Sequence, residues 1–145
     1  MLEDRLDLIL LQLAPNTPYD LDRLKKALLA FEDPKKIAVE FRHKRWLTND
    51  TKALLGELGS VFCNADSPKT DLMDWVTSEV AYIRLHGRTH WYNYKYSAYD
   101  LREITDLAQK IACRGAKKIY IFFNNDADGF APKNALTLME MLRAR

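Results

Sequence analysis

Apolar residues along this chain fall into two kinds of run. DLILLQL (7–13), KIAVEFRH (36–43), SVFCNAD (60–66), EVAYIRLHG (79–87) and KKIYIFFNND (117–126) are short, nearly continuous apolar stretches, and they predict five strands. Between them the spacing turns helical. LDRLKKALLAF (21–31) sets Leu21, Leu24, Leu28 and Phe31 on one face, with Asp20 placed to cap it. Thr48 or Asn49 caps a helix over TKALLGEL (51–58), which Gly59 stops. A long amphipathic helix runs from the cap Ser97 towards Gly115, and a last one starts near Pro132, its Leu136, Met139 and Leu142 stripe read as core. SPKTDLMDW (67–75) is too short and mixed to predict a helix.

The resulting order is strand, helix, strand, helix, strand, loop, strand, helix, strand, helix. Strands apolar at consecutive positions predict a parallel sheet covered on both faces, and hence an α/β fold. The length of 145 residues, without linker composition or low-complexity segment, predicts one domain.

Each predicted strand ends in polar residues. Side chains two apart share a face, which pairs Glu40 with Arg42, Asn64 with Asp66, Arg84 with His86 and Asn124 with Asp126, while the first strand ends at Gln12. Parallel strands bring these ends to one rim, where α/β sheets and β/α barrels bind ligands. Any one pair reads equally well as an internal ion pair, such as Glu40–Arg42 or Asp66–Arg84. Agreement at five strand ends favours a ligand site, and Gly87 suits the turn that follows Arg84 and His86. WYNYKY (91–96) offers rings to a base or sugar, although a loop packed over the rim is the commoner use. His43, Lys44 and Arg45 read as a solvated turn. His86 and His90 lack a third ligand, and NNDADG lacks the distal glutamate of a calcium loop, so no metal site is predicted. Neither a glycine-rich phosphate loop nor a nucleophile elbow is present, and no cofactor is predicted.

Composition narrows the field. With 48% hydrophobic and 29% charged residues the chain has an ordinary globular balance, and 22 basic against 20 acidic residues leave a net charge of +2. That charge supplies no general field for nucleic acid or an anionic membrane. Cys63 and Cys113 are read as reduced thiols. Acidic Glu3 and Asp4 before the first apolar run do not resemble a signal peptide, and no apolar run approaches the ~20 residues that span a bilayer. The expected location is the cytoplasm.

VEFRHKRWL, NADSP, AYIRLHGR, the YS-x-x-DL stretch at 96–101 and IFFNNDADGFAPKNAL strongly resemble the YecE-like family, catalogued as domain of unknown function 72. The resemblance runs from about Leu8 to Leu142. It implies a TIM-barrel-like fold whose fourth to eighth strands are those predicted here, so that residues 1–145 form a single partial domain with the family's N-terminal half absent. The family's QLPP is QLAP here, with Ala14 in place of the first proline, which bears on loop stiffness more than on chemistry. A barrel usually takes ~200 residues or more. Five strands alone leave two open edges; a truncated barrel is the first expectation, with assembly with a second copy or a companion half-barrel and an open five-stranded sheet as the alternatives.

The family resemblance supplies a fold and no reaction. The leading expectation is a site for an anionic or polyhydroxylated small molecule. Arg42 and Arg84 would grip phosphate or carboxylate, Gln12, Asn124, Asn125 and Asp126 would bind polar groups, and Glu40, Asp66 and His86 are the candidates for acid or base. Two alternatives stand beside it. One is a hydrolase of glycosidic or phosphoester bonds using Glu40 and Asp66. The other is a non-enzymatic nucleic-acid binder built on residues 42–45, Arg84, Arg88 and the 91–96 aromatics.

Overall fold

The fold is given by a computed structural model that describes residues 6–144; Glu3 and Asp4, on which the reading of the N-terminus rests, lie outside the described residues. Strands β1 (Ile9–Leu13), β2 (Ile37–Phe41), β3 (Val61–Asp66), β4 (Val80–Leu85) and β5 (Lys118–Phe123) form one sheet in chain order, each parallel to the next. Helices α1 (Leu21–Leu29), α2 (Asn49–Leu58), α3 (Ala98–Cys113) and α4 (Phe130–Arg143) fill the connections, except between β3 and β4, where residues 71–77 have no regular structure.

Capping chemistry sets the helix ends. Asp20 Oδ1 accepts from the Arg23 amide at 2.9 Å and Thr48 Oγ1 from that of Thr51 at 3.2 Å. Gly59 ends α2 in the left-handed region at φ 68°. Ser97 and Asp100 close a reciprocal capping box at the start of α3.

All four helices pack on one face of the sheet. Leu24, Leu28, Leu54 and Leu55 pack with Ile37, Val39, Phe41 and Phe62, while Leu101, Ile104, Ile111 and Leu138 pack with Ala81, Ile83 and Leu85. The strand register places Val39 beside Phe62, and Asn64, two residues on from Phe62 and on its face of β3, beside Ile83, so the two cores share that face.

This arrangement corrects the expectation of a sheet covered on both faces. β2 and β3 are buried throughout, but β4 alternates between buried and half-buried and Phe122 on β5 is 42% exposed. Helices cover one side only; on the other, Tyr82, Tyr120 and Phe122 form a partly exposed aromatic cluster with centroids 4.8–6.2 Å apart. The stripe read as core on the last helix is also corrected. Leu136, Met139 and Leu142 are exposed, and α4 turns Ala131, Asn134 and Leu138 inward instead. Apolar spacing identified an amphipathic helix, but two apolar faces competed and the one containing a buried asparagine won.

The uncovered face is concave. Strands stand ~4.8 Å apart, so a flat sheet would separate β1 from β4 by ~14 Å and β1 from β5 by ~19 Å. Arg84 on β4 nevertheless donates to Gln12 Oε1 on β1 at 3.1 Å. Asp7, just before β1, accepts from Lys118 and Tyr120 on β5. Only a strongly curled sheet lets side chains make these contacts.

Candidate functional site

Glu40 is the centre of the concave face at the carboxyl ends of the strands. Its register neighbours are Gln12 on β1 and Cys63 on β3, and it is 0% exposed. Three cationic or potentially cationic groups surround its carboxylate. Arg42 Nε lies 2.6 Å from Oε1, Arg84 Nη1 lies 2.5 Å from Oε2, and His86 Nε2 lies 3.2 Å from Oε1. Both guanidiniums also donate to Gln12 Oε1, Arg42 at 2.8 Å and Arg84 at 3.1 Å. Their side chains keep 13% and 16% of their surface exposed.

The electrostatics follow from these contacts. Burial alone would push the Glu40 carboxyl up, but hydrogen bonds from His86 and Arg84 and the charges of Arg84 and Arg42 outweigh it, holding the group below its ordinary range. Glu40 is therefore ionised and accepts only, which puts the shared proton of the His86 contact on Nε2. Burial and the Glu40 charge push the Cys63 thiol well up, with Sγ 4.0 Å from Oε2, which makes it a poor nucleophile.

The loop after β4 closes over this cluster. Gly87 sits at φ 106°, where a Cβ would fall 2.4 Å from the His90 carbonyl and 2.7 Å from Tyr94 Cβ, so the turn expected there requires glycine. Beyond it the Trp91 ring lies 5.0 Å from Arg42 Cζ and 5.5 Å from the His86 ring, with Tyr92 edge-on to His86 at 5.7 Å. The 91–96 segment thus packs over the rim, and Lys95 is exposed.

Four of the ten expected site residues belong elsewhere. Because Glu40 aligns with Cys63, Asn64 and Asp66 share a face with each other, but it is the helix-covered one. Asn64 binds the Met73 backbone in both directions. Asp66 pairs with Arg88 at 3.1 Å, not with Arg84, and its carboxyl is pushed up by burial that Arg88 only partly offsets. Arg88 also holds Asp100 at 2.7 Å and Glu103 at 2.6 Å. Asn125 donates to the Tyr94 carbonyl at 2.8 Å and to Asn134 Oδ1 at 2.9 Å, anchoring the loop. Asp126 is exposed at the head of a 3-10 turn. Asn124 follows Phe123, the register partner of Leu85, and so sits beside His86 on the concave side. Gln12, Glu40, Arg42, Arg84, His86 and Asn124 therefore lie towards one end, while Asn64, Asp66, Asn125 and Asp126 do not join them. Asn134 was not singled out in advance, whereas Arg88 and the 91–96 aromatics, read from the sequence as a nucleic-acid surface, instead hold the loop in place.

A separate groove of about 950 Å³ lies between residues 67–74 and α3, lined among others by Asp66, Asp71, Arg88 and Glu103. It opens on the helix side, away from Glu40. Among the described residues no group of three or more His, Cys, Asp or Glu is placed to hold a metal ion, and no helix is long and apolar enough to cross a membrane.

A parallel α/β sheet with helices on one face and a carboxylate–guanidinium cluster at its carboxyl end defines the class of protein. The sequence matches the family described as Protein of unknown function DUF72 over residues 1–145, and the chain belongs to that family. Among solved structures it is similar to a DUF72 family protein from Thermotoga maritima, with 30% identity and a TM-score of 0.88 over 97% of this chain and 59% of that one. It is also similar to a DUF72 family protein from Enterococcus faecalis, which two structures show at 21% and 23% identity with TM-scores of 0.84 and 0.83. Those two matches each cover 94% of this chain, and 58% and 61% of theirs. The chain thus spans about three fifths of the length of these relatives. No curated protein matches it.

Proposed function

We propose that the concave end of the sheet binds an anionic or polyhydroxylated small molecule, held by Arg42 and Arg84 with Gln12 and Asn124 beside them. The observation that carries this reading is the convergence of two part-exposed guanidiniums, from β4 and from just beyond β2, on one buried carboxylate. Two arginines against one glutamate leave a positive balance, and each planar fork has donors beyond those engaged by Glu40 and Gln12.

In this reading the sheet is part of a TIM-barrel-like wall, its strands standing in the fourth to eighth places and residues 1–145 forming one partial domain. Chain-order pairing, helices confined to one face and the strong curl support that placement. A companion half-barrel or a second copy would cover the two open edges.

The hydrolase alternative loses its apparatus, because Glu40 and Asp66 lie on opposite faces of the sheet and cannot flank one bond. The nucleic-acid alternative loses its patch, because Arg42 and Arg84 are tied to Glu40 and Arg88 to three acids.

Calorimetric titration with inorganic phosphate tests the proposal. Wild type is expected to bind, and Arg84→Ala to bind roughly tenfold or more weakly, since a charge-assisted bond contributes about 1.5–3 kcal/mol. Absence of binding, or equal binding by a folded Arg84→Ala variant, overturns it.

A further inference from the structure

His86 is 0% exposed, and its two ring nitrogens have different surroundings. Nε2 faces the ionised Glu40 carboxylate at 3.2 Å and carries the proton. Nδ1 is buried as well and meets no hydrogen-bond partner among the described residues. In the neutral imidazole with its proton on Nε2, Nδ1 is an acceptor. On the adjoining strand end, where the Asn124 amide donates to the Leu85 carbonyl at 2.8 Å, Asn124 presents a second buried acceptor, Oδ1, equally without a partner. Buried acceptors without donors are costly, so this corner of the site is set up to receive a donor. The neighbouring side chains do not supply one. Trp91 and Tyr92 contribute ring faces and edges against His86. Arg84 donates to Glu40 and Gln12 and Arg42 Nη2 to Gln12, while Arg42 Nε is turned to Glu40 Oε1 at 2.6 Å without the alignment of a hydrogen bond.

We propose that His86 Nδ1, oriented by Glu40 and flanked by Asn124, accepts the hydroxyl hydrogen of the ligand, so that the site selects anions that also carry a hydroxyl group over anions that do not. This rests on the anion-binding reading above and adds a second recognition element to it. The two elements divide the ligand. Arg42 and Arg84 take the negative oxygens, and the His86–Asn124 corner takes the alcohol. Phosphorylated or carboxylated polyols and sugars are the chemical class that presents both. Trp91 and Tyr92 cover His86, so their rings must turn aside for the alcohol to enter while Arg88 and Tyr94 keep the loop anchored.

The test compares glycerol 3-phosphate with n-propyl phosphate, which keeps the anion and lacks the hydroxyls, by calorimetric titration of the full chain. Wild type is expected to bind the hydroxylated probe about tenfold or more tightly, the ratio expected when a buried polar partner would otherwise be left unpaired. His86→Phe is expected to bind the two probes equally. Nitrogen-15 NMR of the imidazole gives a readout that no merely structural role would move. In the free protein Nε2 should be protonated and Nδ1 bare, with Nδ1 shifting on addition of glycerol 3-phosphate and not of n-propyl phosphate; Glu40→Gln should disturb that tautomer. If both probes bind wild type equally, or Nδ1 proves protonated, the hydroxyl inference is overturned while the anion site stands. If neither probe binds, the anion reading itself fails and takes this inference with it. Should His86→Phe not fold, His86→Leu serves the same comparison.

Discussion

Replacing Glu40 with glutamine is the most informative perturbation of this site. It keeps the shape of the side chain and removes one charge. In the wild type that charge is fully buried and faces guanidinium nitrogens at 2.6 and 2.5 Å. Without it Arg42 and Arg84 confront each other with only Gln12 between them. Removing one partner of a buried ion pair costs about 3–5 kcal/mol. The arginines here keep 13% and 16% exposure and can turn partly to water, so the low end applies, about 3 kcal/mol. For a chain of this size that lowers Tm by roughly 10 °C, measured by urea unfolding alongside a thermal melt. The effect has a pH signature. Glu40 is held below its ordinary value of 4.5, so its contribution is fully present above that value and is lost as pH falls through the depressed folded-state pKa. The gap between wild type and Glu40→Gln should therefore be constant near neutrality and close in acid. Inorganic phosphate should also raise the Tm of the variant more than that of wild type, because an anion can replace the missing carboxylate. A variant within about 0.5 kcal/mol of wild type, or a gap that persists unchanged at pH 3, refutes the reasoning.

Two further outcomes concern the loop that closes over the cluster. Gly87→Ala should cost more than ~2 kcal/mol, while Gly115→Ala, at a similar φ of 110° but with no atom near its Cβ, should cost only the backbone strain of ~1 kcal/mol; equal melts for the two would show that the contact with His90 and Tyr94 is not tight. Asn134→Ala strips partners from the Tyr96 amide at 3.2 Å, its carbonyl at 2.9 Å and the Asn125 side chain at 2.9 Å. It should lower stability by about 2–3 kcal/mol and alter the near-ultraviolet aromatic signal, and a loss under ~0.5 kcal/mol would refute the anchoring role.

The elements were legible because local chemistry marks them. Apolar runs located all five strands, and Asp20, Thr48, Ser97 and Gly59 bound their helices as their side chains or lack of one predict. The site was legible in part. Alternation grouped Asn64 with Asp66 and Glu40 with Arg42 correctly, but within a strand buried on both faces nothing in the residue types tells which group faces which side. That phase is fixed between strands, by the pairing of Glu40 with Cys63, and pairing register is a tertiary quantity. The same limit explains α4. Leu136, Met139 and Leu142 suit a core as well as Leu138 does, and the choice fell to Asn134, whose hydrogen bonds to Tyr96 pull its own face inward.

The double acceptance at Gln12 Oε1 has a mechanical consequence. One amide oxygen on β1 ties down an arginine just beyond β2 and another on β4, so it acts as a drawstring across the concave end of the sheet. The distance between the two guanidinium forks is then set by how tightly the sheet is curled, and a ligand that engages both forks reads that curvature. Reciprocity makes the relation run both ways: whatever fixes the bend of the sheet, including cover along the free edges of β1 and β5, tunes how strongly the forks grip, and a bound anion in turn stiffens the bend.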